Sequence, residues 1–225
     1  MHYFRLPVEN LAKSVAAIAV ITTLLVTVAH TQVRGEPTGS VEGVVLDQQG
    51  HPLAGATVFV GTMLKGPSTR TSDDGKFVLN EVPAGKVGLN AYKEDDGHPY
   101  NMSSFYIVPG EIMPKVDVGA GDTVKGVTVQ LGAKAAYLKL DVTDNNGMPV
   151  DARNLLLSRP DLGKFGDYQT SIPASKSIMV PPLPFRLAIQ AEGYDTWHYE
   201  DGKGDLITLK SGETLKLHVQ LRKSP

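Results

Sequence analysis

His198, Tyr199 and Glu200 follow one another, and a histidine beside a carboxylate is raw material for zinc chemistry or acid–base hydrolysis. On a strand, His198 and Glu200 would face the same side. A hydrolytic zinc takes three protein ligands, and no second histidine stands close by to complete the set. None of the six histidines opens an H-x-x-E or H-E-x-x-H pattern. No G-x-S-x-G elbow marks a serine nucleophile. The stretch "GAGDTVKG" (Gly119 to Gly126) fits neither phosphate-binding glycine pattern and precedes a strand-like run, so it reads as a plain turn. "SDDG" (Ser72 to Gly75) has too few carboxylates for a calcium loop and reads as a hairpin turn. The chain has no cysteine, which excludes thiol nucleophiles, thiolate metal sites and disulfides. The expectation is no catalytic residue, no metal and no cofactor. A hydrolase resting on His198 and Glu200 is the weaker alternative.

Aromatic rings offer different chemistry. Tyr194, Trp197 and Tyr199 cluster beside His198, and Tyr100, Phe105 and Tyr106 stand together further upstream. Exposed rings can cover a sugar face or anchor a protein partner. On a strand, Trp197 and Tyr199 would project from one face. The competing reading makes Trp197 part of a core and Tyr199 the cover of an edge, because large rings are highly buried on average.

The formal charge of −2 offers no broad basic field for nucleic acid. Val15 to Ala29 form 15 consecutive uncharged residues after Arg5 and Lys13. A basic start and an apolar middle make a secretory signal, or an anchor if it is not cleaved. Residues 1–32 are expected to be that signal peptide or anchor, and 33–37 a linker. Both readings place the rest outside the cytoplasm: periplasmic, secreted, or tethered to the membrane.

The candidate residues must be held by strands. Val41, Gly43 and Val45 alternate, as do Ala56, Val58 and Val60, then Val87, Leu89 and Ala91, then Val127, Val129 and Leu131. Period two gives each run one apolar face. "DQQGHP", "DDGK", "VPAGK" and "GAGD" punctuate them. Short strands at this rhythm predict an antiparallel sandwich or barrel.

The pattern is then written again. "DQQGHP" at Asp47 returns as "DNNGMP" at Asp144, 97 residues on. Val87, Leu89 and Ala91 return as Phe185, Leu187 and Ile189, at an offset of 98. "GDTVKGVTVQL" (Gly121 to Leu131) answers "GETLKLHVQL" (Gly212 to Leu221), at offsets of 91 falling to 90. Several segments in the same order indicate a repeat. Ala91 to Gly121 spans 30 positions and Ile189 to Gly212 only 23, so the first copy carries the longer loop, within Lys93 to Ala120. Tyr100, Phe105 and Tyr106 lie in it. The join, "GAKAA" (Gly132 to Ala136), is short, so the two units should touch.

The first copy resembles the carboxypeptidase regulatory-like domain, a transthyretin-like β-sandwich. The resemblance rests on Gly39, Val41, Gly43, Val45, Asp47, Gly50, Pro52, Leu53, Gly55, Ala56 and Val58. Thr71, Asp73, Gly75 and Phe77 then match a Thr-x-Asp-x-Gly-x-Phe stretch, and "VPAGKVGLNA" a Pro-x-Gly before a strand. The second copy keeps "DNNGMPV" and a closing Gly193-Tyr194 but lacks a counterpart of "SDDGKF". In such a domain Gly50 supplies a positive φ, and Asp47 and Asp73 bond backbone N–H groups in their turns. The resemblance implies a non-catalytic accessory module, common in secreted bacterial proteins, and points to the starch-binding-like fold as a sugar-binding relative.

The expected architecture is all-β: two tandem antiparallel Greek-key β-sandwiches, 38–132 and a diverged 136–222, after an N-terminal hydrophobic helix. The expected function is a binding or structural accessory module whose partner is a protein or a cell-surface polysaccharide. Carbohydrate binding through Tyr100, Phe105 and Tyr106, or through Tyr194, Trp197 and Tyr199, is the alternative.

Overall fold

Among the described residues, alternating apolar side chains pair into seven strands between Thr38 and Gln130, and seven more between Ala136 and Gln220. The computed structural model describes residues 36–61, 64–100, 103–151, 154–171, 177–202 and 205–225. The hydrophobic segment at 15–29, expected to be a signal or anchor helix, and the 33–35 part of the linker lie outside the described residues. Among the described residues no helix is long and apolar enough to cross a membrane.

The first set is β1 (Thr38–Leu46), β2 (Thr57–Val60), β3 (Ser68–Arg70), β4 (Lys76–Pro83), β5 (Gly85–Tyr92), β6 (Lys115–Val118) and β7 (Thr123–Gln130). They form two sheets, ordered β4-β1-β7 and β3-β2-β5-β6. The second set is β8 (Ala136–Thr143), β9 (Asn154–Ser158), β10 (Asp167–Thr170), β11 (Ser177–Val180), β12 (Arg186–Gln190), β13 (Trp197–His198) and β14 (Thr214–Gln220). Its sheets run β11-β8-β14 and β10-β9-β12-β13. Adding seven to each strand number of the first set reproduces the second. The fold is all-β, two tandem sandwiches. It departs from a purely antiparallel arrangement at one place in each: β1 pairs β7 in parallel, and β8 pairs β14 in parallel. The first and last strands of each sandwich run side by side because the chain crosses between the facing sheets before returning.

The turn that the sequence writes twice has one geometry. Asp47 Oδ1 accepts from the N–H groups of Gln49 (2.9 Å) and His51 (2.8 Å). Asp144 Oδ1 accepts from those of Asn146 (2.8 Å) and Met148 (2.9 Å). Gly50 and Gly147 close these turns at φ 83 and 78, a region open to glycine without a Cβ clash. At Asp47 burial is the largest single influence and raises the pKa, yet the hydrogen bonds together outweigh it, and at Asp144 they lead, so both carboxyl groups lie below the ordinary value.

The "SDDG" turn differs from expectation in two ways. Its side-chain bonds come from Asp74: the Ser72 hydroxyl donates to Asp74 Oδ1 at 2.7 Å, and Lys76 Nζ lies 2.6 Å from Oδ2. It is also not a hairpin. β3 belongs to the β2 sheet and β4 to the β1 sheet, so the turn carries the chain across the sandwich.

The inward faces make two separate cores. Val41, Val45, Val58, Phe77, Leu79 and Leu89 are among the residues filling the first, and Leu138, Leu140, Leu155, Leu157, Leu187 and Ile189 the second. Burying each such side chain contributes roughly 1.5–3 kcal/mol relative to exposure. The shift of offset from 91 to 90 has a structural cause. Val41 opposes Val124 but Gly43 opposes Val127, so two steps along β1 match three along β7. The extra residue is Gly126, at φ 73, a β-bulge. Across β8 and β14 the register runs unbroken from Tyr137↔Thr214 to Thr143↔Gln220.

Candidate binding site at the seam

The longer loop of the first sandwich decides how the two sandwiches meet. After β5 the chain makes a short 3₁₀ turn at Glu94–Asp96, and another at Ser104–Tyr106. Ser103 caps the second, its hydroxyl accepting from the Phe105 N–H at 3.2 Å. That turn drives Phe105 into the core of the second sandwich, where it is 0% exposed. Its ring stacks on Tyr168 (5.6 Å between centroids, 14° between planes) and meets Phe185 edge-on at 6.1 Å. Phe105 therefore offers no surface to a ligand. The expectation that it belongs to an exposed binding loop is corrected: a large apolar ring is better satisfied by a core that needs filling.

Arg159, from the turn after β9, grips the same loop. It is 4% exposed. Its guanidinium donates to the carbonyl oxygen of Phe105 at 3.0 Å and to that of Ile107. Its remaining donors meet Asp161 at 3.2 Å (Nε) and 2.6 Å (Nη2). A buried guanidinium is tolerated only when its donors are paired, and here the pairing clasps one sandwich to the other. Ser104 donates to the carbonyl of Phe165 beside this clasp. At the join itself, Ala135 N–H donates to Gly97 O at 2.7 Å, and Lys134 Nζ lies 2.7 Å from Asp96 Oδ1.

Tyr106 and Tyr100 stay partly exposed. The Tyr106 hydroxyl donates to the Met179 carbonyl of β11 at 3.2 Å. Burial raises its phenol pKa well beyond the ordinary range, so it stays a donor. Tyr100 packs against Phe59 (5.3 Å) and Tyr92 (5.2 Å), and its oxygen accepts from the Leu64 N–H at 2.8 Å. Both rings are thus pinned by their polar ends. Together with Tyr137 and Tyr168 of the second sandwich they line a cleft of about 480 Å³, beside the hydroxyls of Thr170 and Ser177. Tyr137, Tyr168 and Arg159 escape a reading of motifs. Tyr137 and Tyr168 sit on strands whose partners across the seam are remote in sequence. For Arg159 the signal is general: an arginine between a strand and a Pro-Asp pair that the fold buries.

The other aromatic group divides differently. Trp197 and Tyr194 are half-buried against the second core, and so is Tyr199. The strand ends at His198, and Tyr199 and Glu200 belong to a 3₁₀ turn, Tyr199–Gly202. His198 and Glu200 therefore do not alternate on one strand. Trp197 and Tyr199 still meet, edge to face, with centroids 6.4 Å apart. Trp197 also lines a cleft of about 360 Å³ with His198, Asp195, Gln220 and Arg222. It both covers the core and presents an edge to solvent.

A third feature of the seam is buried and titratable. His98, 4% exposed, and Glu111 line a cavity of about 10 Å³ against Pro181 and Pro182 of the second sandwich. His98 Nε2 has no hydrogen-bond partner among the described residues, and lies 3.9 Å from Asp96 Oδ2. Burial pushes the Glu111 carboxyl up to about 7 and the His98 imidazole below its ordinary value.

Among known proteins, the family model of the carboxypeptidase regulatory-like domain matches residues 40–135. No curated protein matches the chain. Among solved structures it is similar to the Bacillus anthracis TIE protein, at 18% identity and a TM-score of 0.32, over 84% of this chain and 34% of that one. It is similar to a streptococcal ancillary pilin, at 14% identity and 0.33, over 84% and 63%. It is also similar to GBS52, the minor pilin of Streptococcus agalactiae, at 13% identity and 0.34, over 83% and 97%. The chain spans about a third of the length of the first of these and just under two thirds of the second. On the family match, the first sandwich of this chain is a carboxypeptidase regulatory-like domain.

Proposed function

We propose that this chain is a non-catalytic accessory module of a bacterial envelope, exported or membrane-tethered through residues 1–32, that holds a protein or a cell-surface polymer. It is built as two domains, 38–132 and 136–222, the second a diverged copy of the first. The observation that carries this reading is the Phe105 plug with its Arg159 clasp. A loop that in a free-standing sandwich would move over the surface is here spent on fixing the next sandwich. The result is a rigid pair that presents recognition surfaces at a constant spacing, and preorganisation lowers the entropy cost of binding. Calorimetric titration of the exported chain against soluble envelope polysaccharides and envelope proteins tests it. Saturable binding is expected. Turnover of ester, peptide or glycoside substrates that disappears in His198→Ala or Glu200→Gln would instead make the chain a hydrolase.

A second reading, carbohydrate binding, is favoured by the seam cleft. Four tyrosines and the hydroxyls of Ser103, Thr170 and Ser177 suit a neutral sugar, whose C–H faces pack on rings while its hydroxyls find partners. Under this reading Tyr137→Ala weakens glycan binding and leaves folding intact. Glycan affinity that does not change in Tyr137→Ala would remove the cleft from the reading.

A further inference from the structure

The two sandwiches differ at one edge. In the first, the outer strand β7 is broken by the Gly126 bulge. In the second, its counterpart β14 is straight for seven residues, and among the described residues β8 is its one neighbour in the sheet. Bulges blunt an edge against pairing with another chain, and a regular edge leaves a row of N–H and C=O groups available. We infer that the β14 edge takes up an extended polypeptide strand from a protein partner, one carrying carboxylates at alternate positions. This deepens the protein-partner reading above and rests on it.

The direction of the backbone bonds defines the site. Tyr137 N–H donates to Glu213 O at 2.7 Å, and Leu221 N–H donates to Thr143 O at 2.8 Å. Odd-numbered residues of β14 thus turn their peptide groups toward β8. By alternation Lys216, His218 and Gln220 turn theirs outward. Beyond the strand, Arg222 O accepts from Asp195 N–H at 2.9 Å, which closes the edge at that end. The open stretch ends beside the Trp197 cleft, which Gln220 and Arg222 also line. Strand addition draws affinity from main-chain bonds and specificity from such side-chain pockets.

Charge selects the occupant. Lys216 and Lys139 are register partners on the outward face, and both are exposed. On the same face Asp141, the register partner of His218, is engaged by His218 Nδ1 at 2.9 Å. A strand laid along β14 places alternate side chains beside Lys216, where carboxylates gain and cations lose. A second copy of this chain fits poorly. Antiparallel pairing of two β14 edges through their outward bonds gathers two Lys216 and two Lys139 side chains on one face.

The probe is an end-blocked peptide of alternating Glu and Val, about eight residues long to match a strand. It is titrated into the full chain, followed by fluorescence of Trp197, the single tryptophan, and by exchange of the Lys216, His218 and Gln220 amides. Saturable binding is expected, with those amides slowed about tenfold or more, equivalent to about 1.4 kcal/mol. The matching Lys–Val peptide should not bind. Inserting one glycine between Lys216 and Leu217 recreates the bulge of the first sandwich, and should abolish binding while near-ultraviolet dichroism is kept. If that variant does not fold, His218→Pro serves. Its lost N–H points outward, so the bonds to β8 survive. Failure to bind the peptide, binding without amide protection, or binding that survives both variants overturns the proposal. So does a dimer in sedimentation that the inserted glycine dissolves, since the edge would then belong to a second copy. Partner binding that persists in both edge variants would leave the accessory-module reading standing and remove only the edge.

Discussion

The guanidinium of Arg159, in the second sandwich, donates at 3.0 Å to the carbonyl of Phe105, a residue of the first sandwich whose ring lies in the second core. One residue supplies the plug and the other holds its backbone. The two sandwiches share this element, so damage on one side of the seam should register on the other.

Phe105→Ala tests the plug. The ring is fully buried between Tyr168 and Phe185, and removing a buried phenylalanine costs about 3–5 kcal/mol. Although Phe105 lies before the join, the loss should appear in the unfolding of the second sandwich. Urea unfolding followed by Trp197 fluorescence reads that sandwich directly. An unchanged midpoint would mean that the second core closes without the ring.

Arg159→Ala removes the clasp and leaves two backbone carbonyls of the loop without their donor. Losing charged hydrogen bonds of this kind costs about 1.5–3 kcal/mol each in a buried setting. Arg159→Lys should rescue little, since an ammonium cannot reach both carbonyls and the Asp161 carboxylate in one fork. Thermal melts of the three proteins separate these outcomes. Recovery of wild-type stability in the lysine variant would show that charge alone suffices.

The seam should also respond to pH through two opposed groups. Burial raises Glu111 to about 7 from the ordinary 4.5. In that window the unfolded chain gives up the proton first, so stability present at low pH declines as pH rises through about 7. Burial lowers His98 below 6.5, so the unfolded chain takes up the proton first and stability declines as pH falls below 6.5. Glu111→Gln should flatten the first decline and leave the second. A stability–pH curve for Glu111→Gln that overlays the wild type would show that the carboxyl is not desolvated in solution.

Asp47 and Asp144 each hold two backbone N–H groups in equivalent turns. Asp47→Ala and Asp144→Ala should both lower Tm, each chiefly in its own sandwich, and Asn at either position should recover most of the loss because its carbonyl accepts the same bonds. Site-resolved hydrogen exchange distinguishes the sandwiches. Equal loosening of both by either mutation would mean that they unfold as one unit.

Much of the architecture was legible because it rests on short-range rules. Alternation placed Val41, Val45, Val58, Leu89, Leu140 and Ile189 on inward faces, and all are buried. The repeated Asp–Gly–Pro spacing announced the same turn twice, since a carboxylate bonding its neighbours' N–H groups needs only local chain. Even the one-residue change in repeat offset was visible, though its meaning as the Gly126 bulge needed the register of β1 against β7. The aromatic residues were less legible. Phe105, Tyr106 and Tyr100 stand together in the chain, yet one is core, one spans the seam and one belongs to the first sandwich.

By itself the sequence determined the all-β class, the alternating faces and the doubled turn, because strand period and turn chemistry are written in neighbouring residues. Tertiary structure alone decided that a loop of one sandwich completes the core of the next, that Arg159 is the residue holding it, and that β14 keeps a straight edge while β7 does not. Those outcomes depend on contacts between residues 50 or more positions apart, such as Phe105 with Arg159 and Tyr168. No local rule sets the free energy of such contacts. It comes from which surfaces water leaves when the two sandwiches close on each other.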